Sequence, residues 1–365
     1  MALAVGPQAS DKVSALRLFV DNDRANLVCE PRQQPRRLGI IHAWTLAQHP
    51  LRPSMSTAFY SHAECRLHDM GAGHPECPQR LDAIADQLLS SGLGLLLDQR
   101  EAPLATLEQL QRAHSSNYVS QLREFLEQVQ ASGEPRHLDP DTVATPGTWR
   151  AALRAAGAAV AATEAVVRGE VSNAFCSVRP PGHHATRSET MGFCFFNNVA
   201  VGARHALDVL GLQRVAIVDF DVHHGNGTED IIAGDERVLM CSIFQHPLYP
   251  NSGAVPMGTN MVNVPIPPYT RGLAVREMID AMWLPRLEEF SPQMLFISAG
   301  FDGHREDDLG QLGLVEADFE WITRRVKDVA DRHAGGRIVS CLEGGYALSA
   351  LARSVVTHLR VLADV

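Results

Sequence analysis

A short apolar strand that ends in charged residues is the feature that most constrains this chain. Residues 215–218 read Val-Ala-Ile-Val, a run typical of a central parallel strand that is covered on both faces. Asp219, Asp221 and His223 follow it at alternate positions. Because side chains alternate across an extended backbone, these three point the same way and the residues between them point the other way. Two carboxylates and an imidazole therefore gather at the carboxyl end of a buried strand, where open α/β sheets usually carry their sites.

These residue types permit two interpretations. Asp and His are zinc ligands, and a catalytic zinc site keeps one coordination position open for water. The alternative is an acidic strand end that hydrogen-bonds to loop backbone, because polar residues are common where a strand passes into a loop. The strand alone does not decide between the two interpretations.

The composition limits the classes of protein to consider. With 365 residues and 45% hydrophobic content, the chain is long enough for one large α/β domain or two smaller ones. A net charge of -10 argues against a nucleic-acid partner, which would need a basic patch. The seven scattered cysteines contain no C-x-x-C pair and indicate reduced thiols. No apolar run is long enough to span a bilayer, and a secretory signal pattern is absent. We therefore expect a cytoplasmic, intracellular protein without a membrane partner.

The chain divides into a short first part and one large domain. Residues 1–54 mix Pro, Gln, Arg and Asp without sustained periodicity. They predict a poorly ordered N-terminal extension; an added structural element or an upstream translation start are the alternatives. Across 55–365, apolar strands alternate with amphipathic helices. This alternation predicts a single α/β catalytic domain with a mainly parallel central sheet flanked by helices.

Polar residues also follow other predicted strands. His183 and His184 follow one, Asp302 follows another and Tyr346 follows a third. If these strands are neighbours in the sheet, their carboxyl ends meet at one cleft. Asp302 would then join Asp221 and His223, which follow the first strand, in a three-ligand site with room for water.

Five motifs in order along the chain resemble those of one known family. They are RPPGHHA, GFCFFNN, DFDVHHGNGT, AGFD and EGGY. This combination resembles the zinc-dependent histone deacetylase superfamily, which includes bacterial histone deacetylase-like amidohydrolases and acetylpolyamine amidohydrolases. The resemblance covers about 55–363, and five ordered motifs are far more specific than one short motif. Asn226 is similar to class II members. An arginase/deacetylase-like α/β fold is implied.

The resemblance implies a catalytic role for several of these residues. Asp221, His223 and Asp302 would hold one catalytic Zn²⁺, which acidifies a water and polarises the amide carbonyl. His184, paired with Asn226, would take the water proton and later protonate the leaving amine.

Four further residues are given supporting roles by the same resemblance. His183, held by Asp219, would act mainly through its charge. Tyr346 would donate its hydroxyl to the developing oxyanion. Asp219 and Ser242, with main-chain carbonyls, would hold a structural K⁺.

The resemblance also implies residues that contact the substrate. They are Gly192, Phe193, Tyr249, Leu309, Asp139 and Asp141. The two aromatic rings would form an apolar slot for an acyl-lysine stem, and the glycine would let backbone approach it closely. The two aspartates belong to a loop at 133–147 that is long enough to cover a pocket mouth, and one or the other would bind substrate backbone or amine.

The function that this resemblance implies is removal of an acetyl or other acyl group from lysine side chains of proteins or peptides. Deacetylation of acetylpolyamines or other small N-acyl amines is the alternative, which Leu309 disfavours because polyamine-selective relatives often carry an acid at the rim. An arginase-like ureohydrolase is disfavoured by Asn226, which stands where such sites have an acid. A catalytically silent acyl-lysine binder is disfavoured because the base histidine and the tyrosine are both present. The resident metal stays open, since this ligand set also accepts Fe²⁺ or Co²⁺, as does the oligomeric state.

Overall fold

The structure, a computed structural model, describes residues 56–365. Its centre is an eight-stranded parallel sheet with the strand order β2-β1-β5-β10-β9-β6-β7-β8. These strands are β1 (Thr57–Ser61), β2 (Asp98–Glu101), β5 (Asn173–Cys176), β6 (Val215–Asp219), β7 (Val238–Gln245), β8 (Met261–Ile266), β9 (Met294–Ala299) and β10 (Ile338–Leu342). A separate antiparallel pair consists of β3 (Arg136–His137) and β4 (Val143–Ala144). The predicted α/β fold with a mainly parallel sheet is confirmed, whereas the extension predicted for 1–54 lies outside the described residues.

Helices connect the parallel strands. They are α1 (Gln79–Ser91), α2 (Leu107–Gln111), α3 (Ser116–Ser132), α4 (Thr148–Val167), α5 (Asn198–Asp208), α6 (Asn226–Ile232), α7 (Gly272–Met278), α8 (Leu284–Phe290), α9 (Glu316–Val329) and α10 (Leu348–Leu362). A π-helical turn, Ile279–Trp283, joins α7 to α8, and a second, Ala330–Ala334, follows α9. None of the helices in 56–365 combines the length and the apolar character that crossing a bilayer requires.

The four central strands are buried along their whole length because helices cover both faces of the sheet. Ser340 of β10 hydrogen-bonds to His358 of α10. In the register of the sheet, Ser340 is paired with Ile297 of β9. The next side chain on β9, Phe296, lies against Gly202 of α5. Since neighbouring residues of a strand face opposite sides, α10 and α5 cover opposite faces.

The sequence did not predict the short pair β3 and β4, which lie in the loop at 133–147, nor β2, β8 and α6. The strand β2 is short and polar, and β8 contains Asn263 and Pro265. Both strands lie at an edge of the sheet, where one side of the strand has no partner and apolar alternation is not required. The helix α6 begins at Asn226, inside the motif that was assigned to the site.

A buried group of charges ties the start of the domain to two of the motifs. Glu76, Arg80 and Arg179 are completely buried, and the Glu76 carboxylate is ion-paired with both guanidinium groups. Burial alone would raise the pKa of Glu76, but the arginines outweigh it and lower the pKa to about 2. Arg80 also donates to the Gly345 carbonyl at 2.7 Å. The loops that contain Arg179 and Gly345 follow the adjacent strands β5 and β10. This buried group of charges therefore holds the two loops together.

Arginine supplies nearly all the positive charge of the chain. Lysine occurs at positions 12 and 327 alone. The Lys327 ammonium lies 3.0 Å from an Asp331 oxygen and 3.2 Å from an Asp364 oxygen. Among the described residues, no free primary amine other than that of Lys327 is carried by a side chain.

Candidate active site

The loops that carry the predicted site follow four strands that lie side by side. In the sheet, β5, β10, β9 and β6 are consecutive neighbours, and the polar motifs begin where each of them ends. Parallel strands present their carboxyl ends at one edge of the sheet. The convergence on one cleft that the sequence predicted is therefore a property of the strand order.

Three side chains in this cleft each offer one ligand atom to a common point. His223 Nδ1 lies 3.1 Å from Asp221 Oδ1 and 3.1 Å from Asp302 Oδ2, and the three ligand atoms lie within 4.8 Å of one another. Backbone N–H groups of Val222 and Gly344 donate to the other oxygens of Asp302 and Asp221. Each carboxylate is thereby oriented with one oxygen towards the common point.

These residues fit a zinc ion. Two carboxylate oxygens and one imidazole nitrogen are ordinary zinc ligands and leave a coordination position for water. Burial and the nearby Asp221 charge raise the pKa of the Asp302 carboxyl, since like charges in one buried site disfavour ionisation. The surrounding backbone leaves space only for the ligands: a Cβ at Gly300 would overlap Asp221, and one at Gly344 would overlap Asp302. A cation that pairs with both carboxylates relieves their repulsion.

His183 is held as a charged group. Its Nδ1 lies 3.0 Å from Asp219 Oδ2, and a carboxylate only accepts, so Nδ1 carries a proton. Burial alone would lower the pKa of His183, but the charges of Asp221 and Asp219 outweigh it and raise the pKa to about 10.

His184 is held in the opposite state. Its Nδ1 lies 2.8 Å from the Asn226 side-chain oxygen, and the Asn226 nitrogen donates to the Met191 sulfur at 3.1 Å. The amide oxygen accepts, so Nδ1 carries the proton and Nε2 of the neutral ring has a lone pair. Burial lowers the pKa of His184 well below its ordinary value, and the nearby His183 and His223 lower it further. His184 is thus a neutral base beside the metal-ligand set.

Tyr346 lies on the loop after β10 and lines the same cavity as His184 and His223. Its ring packs edge to face on Phe193, with centroids 6.0 Å apart, and the Arg80 guanidinium lies 5.0 Å from its centroid. The Asp307 carboxylate accepts the backbone N–H of Tyr346 at 2.6 Å. Burial and the Asp302 charge raise the pKa of Tyr346 well above its ordinary value, so the hydroxyl keeps its proton and is a donor.

A cavity of about 280 Å³ leads to these groups. Phe193, Tyr249 and Leu309 form much of its wall, and Gly192 and Asp141 also line it. A Cβ at Gly192 would overlap the His184 ring, which explains why this position has no side chain. The cavity is a mainly apolar slot with His184, His223 and Tyr346 along its lining.

Two of the predicted site residues lie elsewhere. Asp139 is not among the residues that line the cavity; its Oδ1 accepts the backbone N–H groups of Asp141 and Thr142 at 2.8 and 2.7 Å. Asp139 thus shapes the turn that presents Asp141. Ser242 pairs in register with Asp219, and its buried Oγ has no hydrogen-bond partner in the described chain.

Glu343 is a site residue that the sequence analysis did not single out. It is completely buried. Its Oε2 accepts the backbone N–H groups of Gly182 and His183 at 2.6 and 3.1 Å, and Ser298 donates to its Oε1 at 3.2 Å. Burial raises the pKa of Glu343 to about 7 although the charge of His183 opposes this. One side chain of the EGGY motif therefore fixes the loop that carries His183 and His184.

Glu343→Ala is expected to destabilise the protein by about 3 kcal/mol, because it leaves two buried N–H groups and a hydroxyl without acceptors. Glu343→Gln keeps one acceptor oxygen and is expected to cost less than half of that. Urea unfolding of the three proteins measures both free energies. Equal losses for the two variants would contradict the role of this carboxylate as an acceptor.

A buried Asp–His–Asp set beside a neutral histidine base is the arrangement of a metal-dependent hydrolase. The family model of the histone deacetylase domain matches residues 74–362. The chain therefore belongs to the histone deacetylase family, as the five motifs predicted. Relatives in this family are named deacetylases or amidohydrolases, hydrolases that act on amide bonds, and the family is generally zinc-dependent.

Individual relatives show how far the similarity extends. The chain is 38% identical over 283 residues to the histone deacetylase-like amidohydrolase of Pseudomonas aeruginosa, covering 76% of this chain and 73% of that protein. It is 36% identical over 327 residues to the human polyamine deacetylase HDAC10, covering 84% of this chain and 48% of that protein. The crystal structure of the HDA15 HD domain superposes with a TM-score of 0.79 at 34% identity, covering 85% of this chain and 90% of that one.

Proposed function

We propose that this chain is a zinc-dependent amidohydrolase that removes acetyl groups from lysine side chains of proteins or peptides. The observation that carries this proposal is the slot between Phe193 and Tyr249, which has His184 and Tyr346 in its lining. A lysine side chain is an unbranched apolar stem that a slot of this kind accommodates. The amide at the end of the stem then lies beside the base and the hydroxyl donor.

The metal site would be formed by Asp221, His223 and Asp302. When bound there, zinc supplies a Lewis acid that polarises the amide carbonyl and acidifies a water. Asp219 and Ser242 would contribute to a structural K⁺ site; the support for it is the buried Ser242 hydroxyl, which has no partner in residues 56–365.

The protein groups would perform the proton transfers. His184 Nε2 takes a proton from the attacking water, because the Asn226 oxygen holds the other ring nitrogen as the donor. The same nitrogen then protonates the leaving amine. Tyr346 donates its hydroxyl to the oxygen that gains negative charge, and the charged ring of His183 adds a favourable potential nearby.

Hydrolysis of acetylated polyamines or other small N-acyl amines is a second candidate. The Asp141 carboxylate at the cavity wall would attract a cationic amine. Against it, Leu309 places an aliphatic group at the rim where an acid would recognise a polyamine.

Parallel assays separate these candidates. The metal-stripped and zinc-restored protein is given a fluorogenic acetyl-lysine peptide and N-acetylputrescine. We expect zinc to restore turnover of the peptide with little turnover of N-acetylputrescine. Turnover of N-acetylputrescine alone would favour the second candidate, and turnover of neither would contradict both.

Residues 55–365 are proposed as the catalytic domain, with 1–54 as an extension.

A further inference from the structure

A second cavity adjoins the wall of the active-site slot. It is open, has a volume of about 500 Å³, and is lined by Tyr269, Arg271, Arg305 and residues 310–313. No carboxylate is among its lining residues in the described chain. In a protein whose net charge is -10, this is a locally cationic surface.

The two arginines of this cavity are not neutralised by the protein. Within residues 56–365, neither the Arg271 nor the Arg305 guanidinium makes a hydrogen bond or an ion pair. Other arginines of the same region are paired, since Arg276 and Arg353 each bind a carboxylate. The guanidinium groups of Arg271 and Arg305 are thus free to bind an anion, and arginine favours carboxylates in a bidentate geometry.

Backbone hydrogen bonds hold the two arginines on either side of one segment. On one side of residues 310–314, the Tyr269 N–H donates to the Gln311 carbonyl at 2.7 Å, and a β-bridge joins Arg271 to this segment. On the other side, the Arg305 N–H donates to the Leu314 carbonyl at 2.9 Å. The backbone of both arginines is therefore anchored to the segment 310–314, most of which lines this cavity.

Tyr269 adds an aromatic surface to this site. Its side chain is 74% exposed, although large aromatic rings are usually covered in a folded protein. Exposed tyrosine together with arginine is the combination that is enriched at the centres of binding interfaces.

The active-site slot and this cavity share a continuous wall. Leu309 lines the slot, and Gly310 and Gln311 line the cavity. Consecutive Cα atoms are about 3.8 Å apart, and an extended peptide advances roughly 3.3 to 3.6 Å per residue. Two or three residues of extended peptide span roughly 7 to 11 Å, so a substrate that follows this wall out of the slot places such a residue over the second cavity.

We propose that Arg271 and Arg305 form an anion-binding subsite that selects acyl-lysine peptides carrying an acidic side chain two or three residues from the acyl-lysine. This subsite rests on the proposed deacetylase function and specifies its substrate class. It disfavours acetylpolyamines, whose additional charges are positive.

Matched peptides test the subsite. Acetyl-lysine peptides with Glu at each of these positions are compared with Gln peptides of otherwise identical sequence. Because an exposed ion pair contributes up to about 1 kcal/mol, we expect kcat/KM to be roughly fivefold higher for Glu than for Gln in at least one position. In the R271Q/R305Q double variant the preference disappears, while kcat/KM for the Gln peptide is unchanged.

Arg360→Gln provides the control. Arg360 is exposed in the last turn of α10, whose end is tied to the first residue of β5 by the bond from Asn173 to the Leu362 carbonyl. It therefore lies at the end of the sheet away from the site. A wild type that does not distinguish Glu from Gln, or a preference that persists in R271Q/R305Q or falls equally in R360Q, overturns the subsite.

Failure of the proposed function is a separate outcome. If the zinc-loaded protein turns over no peptide at all, the deacetylase proposal fails. The subsite is then measured through equilibrium binding of the matched Glu and Gln peptides, labelled with fluorescein, by fluorescence anisotropy. A Glu-over-Gln preference that is lost in R271Q/R305Q supports it, and equal binding of both peptides refutes it.

Discussion

Tyr346→Phe is expected to lower kcat by about 10²- to 10³-fold with little change in KM, since removing one preorganised oxyanion donor typically costs about 2.7 to 4 kcal/mol. The phenyl ring keeps its contacts with Phe193 and Arg80, which involve the ring and not the hydroxyl. The zinc content and the unfolding midpoint should therefore match those of the wild type. Steady-state kinetics on the acetyl-lysine peptide measures the effect.

Tyr60→Phe is the matched control for this variant. It removes the hydroxyl of Tyr60, a buried tyrosine that belongs to β1 and does not line the cavity. We expect its kcat to stay within about twofold of the wild type. A Tyr346→Phe enzyme that keeps full kcat would remove this hydroxyl from the mechanism.

Asp302→Asn is expected to abolish activity and the response of the protein to zinc. A metal at a free concentration of 100 times its Kd stabilises the folded protein by about 2.7 kcal/mol. Zinc should therefore raise the Tm of the stripped wild type but not that of the variant. Without metal, the variant should be no less stable than the wild type. The reason is that Asn keeps an acceptor for the Val222 N–H and removes one of two buried like charges.

Thermal unfolding with and without zinc, together with metal analysis, measures these differences. Asp308→Asn makes the same change of charge at an exposed residue outside the ligand set and should leave the zinc response intact. Zinc binding of normal affinity by Asp302→Asn would show that the metal is held by other residues.

The sequence predicted the parts of the fold that depend on local pattern. The apolar run of β6 and the polar residues after it determine a buried strand with a site at its end, whatever its neighbours are. The strand order could not be predicted from local pattern, because it depends on pairing between segments that are distant in the chain. The edge strands β2 and β8 were missed because an edge position removes the apolar periodicity on which prediction depends.

The candidate site was also predicted only in part from the sequence. The ordered motifs predicted that Asp221, His223 and Asp302 lie together, and the geometry brings the three within reach of one ion. The burial of Glu343 was not predictable, because its acceptors face N–H groups of a loop 160 residues away in the chain. Asp139 and Asp141 were both candidates for substrate contact from the loop at 133–147. A carboxylate followed by a turn often bonds to its own backbone, as Asp139 does here, and Asp141 is the one that lines the cavity.

The scarcity of lysine has a consequence for an enzyme of this proposed activity. Reactive acyl donors modify primary amines, and a guanidinium group, which stays protonated, is a poor nucleophile towards them. In the described chain the one lysine side chain, Lys327, is engaged by two carboxylates. The side-chain charge of residues 56–365 therefore stays nearly constant while the acylation of their surroundings rises and falls. Within these residues, only Lys327 offers a side-chain amine to the modification that the proposed reaction removes.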